Sequence, residues 1–352
     1  MMHTSTSPQY GIIASCDVAA AMMEQPAGRA LVQETIDEAM SFRRAMNNVR
    51  KQMEDSWWFR VWEPSIADET PSDTRAEWLL KPGDSWHGFE GVAENHVMVD
   101  PIKVTILSPG LTAGGTMDEH GIPAAVVTKF LSSRRIEIEK TGLYSFLVLF
   151  SMGVTRGKWS TLITELLNFK DLYDANAPLT RVLPDLVTGH TEAYGTLGLK
   201  DLCRQIHEVY RKDDVPRAER EMYAVLPDVI LRPADAYNEL VKGRVESVDI
   251  DELMGRTLAV MIAPYPPGIP LIMPGERITR ATKSIQDYLV YAREFDQKFP
   301  GFETDIHGIR FVREPGERRY LVDCLKENTA DVTACPSQSP SQQLKVVSRV
   351  DQ

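Results

Sequence analysis

Between Asp100 and Tyr173 the hydrophobic period switches repeatedly between two and about 3.6 residues, and this alternation commits the chain to a mixed core of strands and helices. Ile102 to Leu107 (IKVTIL) reads as a strand, and Ile122 to Leu131 as a helix opened by Pro123. Arg135 to Lys140 (RIEIEK) alternates like a half-buried strand, Tyr144 to Ser151 is apolar enough for a fully buried one, and Lys158 to Tyr173 returns to a helical period. Elements in this order form an α/β unit around a small sheet. Ser108-Pro109-Gly110 and Gly114-Gly115 mark the loop after its first strand.

On the N-terminal side, Val32, Ile36, Ala39, Phe42, Met46, Val49 and Met53 recur at helical spacing, with Arg44, Arg50 and Lys51 outside the stripe, so a long amphipathic helix is expected from Gly28 to about Glu54. Asp55 to Gly91 has no sustained period, yet it holds Trp57, Trp58, Trp62, Trp78 and Trp86; an ordered connector is expected, because five tryptophans are seldom all left in water. After Pro184 the patterns are mainly helical, over Tyr194 to Arg211, Pro216 to Leu226, Ala234 to Lys242 and Ala281 to Phe299. A short strand or turn is expected at Glu246 to Asp251, a polar-and-strand segment at Gly301 to Leu325, and a disordered tail over residues 327–352. The chain opens on a turn, Thr6-Ser7-Pro8, that runs straight into the apolar segment Tyr10 to Ala14, which suggests an interior starting point.

Charge and motif content exclude several functions. A net charge of −11 argues against a nucleic-acid footprint or an anionic membrane surface, both of which require clustered positive charge. No apolar run approaches the roughly 20 residues of a membrane span, and the first residues do not resemble a targeting signal. Four scattered cysteines (Cys16, Cys203, Cys324, Cys335) fit a reducing cytoplasm. The seven histidines never fall at the i, i+4 spacing of a helical metal pair, and no nucleophile elbow, Walker loop or dinucleotide fingerprint follows a strand. No metal is expected.

Three features could carry chemistry. Ser5, Thr6 and Ser7 offer hydroxyls beside a turn, where they could hold a phosphate together with free amides, although a cluster of this kind is more often a cap or a plain turn. Glu139, on the same expected strand face as Glu137, could bind a cation, against the ordinary reading of an exposed strand face. The block Pro264-Tyr265-Pro266-Pro267-Gly268-Ile269-Pro270 is rigid and apolar, as expected at a domain or subunit junction.

Seven segments in order resemble the Orn/Lys/Arg decarboxylase family, the bacterial inducible type of pyridoxal-phosphate (PLP) fold-type-I enzyme. They are MMHTSTSPQYGIIAS (1–15), WHGF (86–89), DPIKVTILSPG (100–110), GIPAAVVTKFL (121–131), EIEKTGLYSFLVLFSMGVTRGK (137–158), PYPPGIPLIMPGE (264–276) and PGFETDIHG (300–308). The resemblance implies the end of the PLP-binding domain at residues 1–23, a small α/β domain at 24–184 and the mixed helical C-terminal domain of the family at 185–326. It implies decarboxylation of lysine, arginine or ornithine in the cytoplasm by homodimers that assemble into larger oligomers. Thr6 and Ser7 would reach the PLP phosphate across a dimer interface, Ser5 would lie near the substrate, and Glu139 would face its distal cation. In the family a Ser-x-His-Lys segment supplies the lysine that holds PLP, and it lies upstream of the residues matched by Met1. The isolated chain is therefore expected to be an inactive fragment, or else a non-catalytic assembly partner of full-length subunits. Glu139-Lys140-Thr141-Gly142 resembles lysine-type members, whereas VTRGK and DANAPL resemble the arginine type, so the substrate stays open.

Overall fold

The computed structural model describes residues 9–24, 26–53, 56–64, 78–84, 86–89, 91–112, 114–265, 267–314 and 317–326. Its internal contacts divide the chain into two compact units, Met1–Lys212 and Asp213–Gln352. The expected disordered tail and the opening turn at Thr6-Ser7-Pro8 lie outside the described residues.

In the first unit, α1 (Tyr10–Met22) buries none of its residues. The long α2 (Ala27–Gln52) buries Ala39, Phe42 and Met46, as its apolar stripe requires. Arg43 is buried beside them. Its Nη1 donates to Glu63 Oε2 at 3.3 Å, its Nη2 donates to the carbonyls of Pro101 (3.2 Å) and Lys103 (3.3 Å), and its guanidinium lies over the Trp78 ring at 5.0 Å. Burial pushes the Arg43 pKa below its ordinary value, and Glu63 opposes that shift by favouring the charged form.

The sheet follows from β1 (Arg60–Val61), β2 (Lys103–Leu107), β3 (Lys140–Thr141) and β4 (Ser145–Leu149), in the order β1-β2-β4-β3 with every neighbour antiparallel. Val104, Ile106 and Phe146 point inward, and Ile106 stands opposite Phe146. Against this core lie α3 (Ala124–Ser133), opened by Pro123, and α4 (Arg156–Asp174). Phe130 of α3 and Phe169 of α4 meet edge to face at 5.4 Å, and Phe59 just before β1 approaches both Phe146 (6.1 Å) and Phe169 (6.2 Å). The tryptophan connector joins this packing in part: Trp58 and Trp78 are buried, and Trp57 Nε1 donates to Asp174 at 2.7 Å. Beyond α4, three short helices, α5 (Leu179–Val182), α6 (Pro184–Gly189) and α7 (Thr191–Tyr194), lead to α8 (Leu199–Lys212), whose Leu202, Cys203, Ile206 and His207 are buried.

Two expected strands are corrected. Arg135 to Lys140 is not a strand, because α3 continues to Ser133 and ends in a left-handed turn at Arg135 (φ 64°). There the Ile136 N–H bonds Leu131 O and the Arg135 N–H bonds Ser132 O, the two bonds of a Schellman cap, and ladder pairing begins only at Lys140. Nor is β4 fully buried. Phe146 is inside, Leu147 and Val148 are half-buried and Leu149 is exposed, as befits a strand covered by helices on one face.

The second unit contains α9 (Val215–Tyr223), β5 (Asp228–Val229), α10 (Pro233–Val241), β6 (Val245–Asp249), β7 (Ala263–Tyr265), β8 (Glu276–Arg277), α11 (Lys283–Lys298), β9 (Asp305–His307), β10 (Ile309–Glu314) and β11 (Glu317–Leu325). An antiparallel sheet in the order β10-β11-β6 carries Val248, Tyr320 and Val322, which share a core with Ile285, Leu289 and Ala292 of α11. The proline block enters through β7, paired with β9, and turns where the Gly268 N–H reaches Pro264 O. Pro266 lies outside the described residues. Among the described residues no helix is long and apolar enough to cross a membrane, and no group of three His, Cys, Asp or Glu could hold a metal ion.

Candidate functional site

Glu139 sits where the Schellman turn after α3 hands the chain to the sheet. Its N–H donates to Leu147 O at 3.1 Å, which pins it to the outer edge of β4 one residue before β3. Its side chain is exposed. Glu137, which the sequence places on the same face, accepts from Ser132 Oγ at 3.0 Å. The two carboxylates thus differ in character. Glu137 is tied back to the helix it follows, whereas no hydrogen bond or ion pair engages the Glu139 carboxylate among the described residues.

The register brings the end of β2, the start of β4 and the end of β3 to one end of the sheet. The loop after β2 starts there. Ser108 anchors it, with its N–H bonded to Tyr144 O (2.9 Å) and its Oγ to Ile122 O (2.6 Å). Tyr144 also places its hydroxyl 2.6 Å from His207 Nδ1, and both side chains are buried. Burial pushes the Tyr144 phenol up and the His207 imidazole down, each toward its neutral form. This pair escaped the sequence reading, which tested His207 only as a metal ligand.

Ser5, Thr6 and Ser7 lie outside the described residues, so of the expected site residues only Glu139 has a described position. A covalent seat for PLP requires a lysine with a free amine. Among the described residues Lys170 is the buried lysine, and its ammonium donates to Asp174 at 2.6 Å while lying 4.6 Å over the Trp57 ring. A lysine committed in this way offers no free amine to a coenzyme.

Two family models match in order along the chain, "Orn/Lys/Arg decarboxylase, major domain" over residues 1–158 and "Orn/Lys/Arg decarboxylase, C-terminal domain" over residues 216–326. The chain belongs to the Orn/Lys/Arg decarboxylase family. Among members of the family, it is 57% identical over 328 residues to lysine decarboxylase LdcA of Pseudomonas aeruginosa, a match covering 93% of this chain and 44% of that protein. It is 38% identical to the biodegradative arginine decarboxylase of Escherichia coli, covering 93% of this chain and 45% of that one. The solved structure of lysine decarboxylase A from Pseudomonas aeruginosa superposes with a TM-score of 0.88 at 57% identity, over 93% of this chain and 44% of that chain. The chain thus spans less than half the length of these decarboxylases, and the mixed α/β fold matches their C-terminal part.

Proposed function

We propose that this chain forms the C-terminal part of a PLP-dependent decarboxylase of fold type I, and that its substrate is lysine. The observation that carries the reading is the pair of family domains in order, at 57% identity to a lysine decarboxylase against 38% to an arginine decarboxylase. Bound PLP supplies an electron sink for loss of the substrate carboxylate. The residues of this chain bind and orient. Thr6 and Ser7 hold the coenzyme phosphate through hydroxyl and amide donors, Ser5 lies near the substrate, and Glu139 holds its distal ammonium. The uncommitted carboxylate of Glu139, fixed through its backbone to the sheet edge, supports its part in this assignment. The lysine that holds PLP comes from polypeptide upstream of the matched residues, in line with a chain that spans 44% of the relative.

A chimera in which this chain replaces the matching part of the Pseudomonas relative tests the reading. It should release carbon dioxide from lysine in preference to arginine and ornithine. In it, Glu139→Gln should raise KM for lysine about tenfold or more while leaving bound PLP unchanged, since a charge-assisted bond contributes about 1.5–3 kcal/mol. A folded, PLP-loaded chimera that is inert toward lysine would reject the proposal.

The exposure of α1 favours a second reading. Tyr10, Ile12, Ile13, Val18 and Met22 are all open to solvent on a helix that buries nothing, and a helix apolar on all sides normally lies against other protein. The chain could then pair through α1 with full-length subunits as a non-catalytic assembly partner. Co-expression with the intact Pseudomonas relative should give co-purification that Ile13→Asp abolishes; two species that elute separately would remove this reading.

A further inference from the structure

His207 lies on the buried face of α8 with Cys203, Ile206 and Tyr210, where an imidazole must find partners for both nitrogens. It finds them. Nε2 is 3.1 Å from Asp118 O, and because a carbonyl only accepts, the ring hydrogen belongs there. In the neutral ring Nδ1 is then the acceptor, and the Tyr144 hydroxyl donates to it at 2.6 Å. One turn further along α8, Arg211 Nη1 donates to Glu119 O at 3.2 Å, so the helix grips two successive carbonyls of the loop after β2.

The loop is also moulded to these rings. A Cβ on Gly121 would fall 2.3 Å from His207 Nδ1, and one on Gly110, which sits at φ 130°, would fall 2.4 Å from the Tyr144 ring. Neither glycine could carry a side chain without displacing the pair. The groups that face His207 are Tyr144 from the turn before β4, Asp118, Glu119 and His120 from the loop, and Cys203, Tyr210 and Arg211 from its own helix. From α4, Tyr173 reaches toward Cys203. Burial is the main force against a charge on the ring, and the cation Arg211 and His120 add to it, while the loop carbonyls favour the charge.

We propose that His207 is a pH-sensitive latch: in its neutral form it holds the loop of residues 109–122 against α8, and on protonation it lets that loop go. A second ring hydrogen at Nδ1 meets the hydroxyl hydrogen of Tyr144 head on. The hydroxyl must turn away from it, inside a contact where Gly110 and Gly121 leave no slack. The sign follows from linkage. The latched state holds the imidazole below its ordinary value of 6.5, so the opened state takes the proton first. Latching is complete above that value and weakens as pH falls toward the depressed one.

Hydrogen exchange on the full chain tests this, with rates corrected for intrinsic pH dependence. Amides of Thr112, Thr116, Asp118 and Ile122 should lose about tenfold in protection per pH unit once the pH drops below about 6.5, with those of β4 unchanged. Nitrogen-15 shifts should place the ring hydrogen of His207 on Nε2 at neutral pH. His207→Gln, which keeps a donor and an acceptor but does not titrate, should show pH-independent protection. If that variant does not fold, Tyr144→Phe should shrink the total loss without moving its onset, because removing the bond specific to the neutral ring brings the latched value back toward the ordinary one. Protection of the wild-type loop that stays constant down to about pH 5, or a hydrogen on Nδ1, would overturn the latch.

Discussion

Replacing Phe59 with alanine is expected to destabilise the first unit by about 3–5 kcal/mol. Phe59 is fully buried and meets Trp57, Trp58, Phe146 and Phe169 through ring contacts of 5.4–6.2 Å. It therefore joins the tryptophan connector, the central strand β4 and helix α4 at one point. Alanine would leave a cavity bounded by large aromatic rings, which cannot collapse into it without losing their edge-to-face geometry. All six tryptophans (Trp57, Trp58, Trp62, Trp78, Trp86 and Trp159) belong to this unit, so fluorescence during urea unfolding reads the effect directly. A fall in the midpoint with no change in slope is the expected result. A loss below about 1 kcal/mol would mean that the aromatic cluster does not hold the connector to the sheet.

Long elements with a sustained period were legible in the sequence. The helices α2 and α4 and the strand β2 stand within a few residues of their expected positions, because each keeps one apolar face long enough for the period to define it, whereas the helix expected from Tyr194 begins only at Leu199, after α7 has ended at Tyr194. RIEIEK misled because its alternation spans a helix cap, and an arginine holds the left-handed position where glycine is the usual signal. At the candidate site, Glu139 and Glu137 were legible only as two carboxylates on one expected strand face, and their separation was not. That separation depends on Ser132, five residues before Glu137 and still on α3. Arg43 and His207 both sit on apolar helix faces, and a polar group in such a stripe was the available sign of a buried partner. The partners themselves could not be named. Glu63, Lys103, Asp118 and Tyr144 come from distant parts of the chain, and only the sheet register brings them close. Ser5, Thr6 and Ser7 have no described position against which to compare the reading.

Asp296→Ala is expected to destabilise the second unit by about 3 kcal/mol or more, since each buried donor left unsatisfied costs about 1–3 kcal/mol. Asp296 is fully buried on α11, where Oδ1 accepts from the Thr304 N–H (2.9 Å) and hydroxyl (3.1 Å) and Oδ2 accepts from the Tyr320 hydroxyl of β11. Alanine strands these donors, whereas asparagine keeps an acceptor for Thr304 and should lose less. Hydrogen exchange in α11 and β11 peptides measures both variants. The pH response separates charge from packing. Burial raises the carboxyl above its ordinary 3.8 more strongly than the Tyr320 and Thr304 bonds lower it, and Glu303 adds to the rise. The folded unit therefore takes up this proton before the unfolded chain does, so stability from the neutral form is full below 3.8 and is lost as pH rises through the raised value. Wild type should gain on Asp296→Asn as the pH falls through that window. Asp296 then responds to acid in the sense opposite to His207 in the first unit. On moderate acidification the amides of Asp118 and Ile122 should lose protection while those of α11 keep theirs, and loss of protection in α11 first would show that burial does not control the ionisation of Asp296.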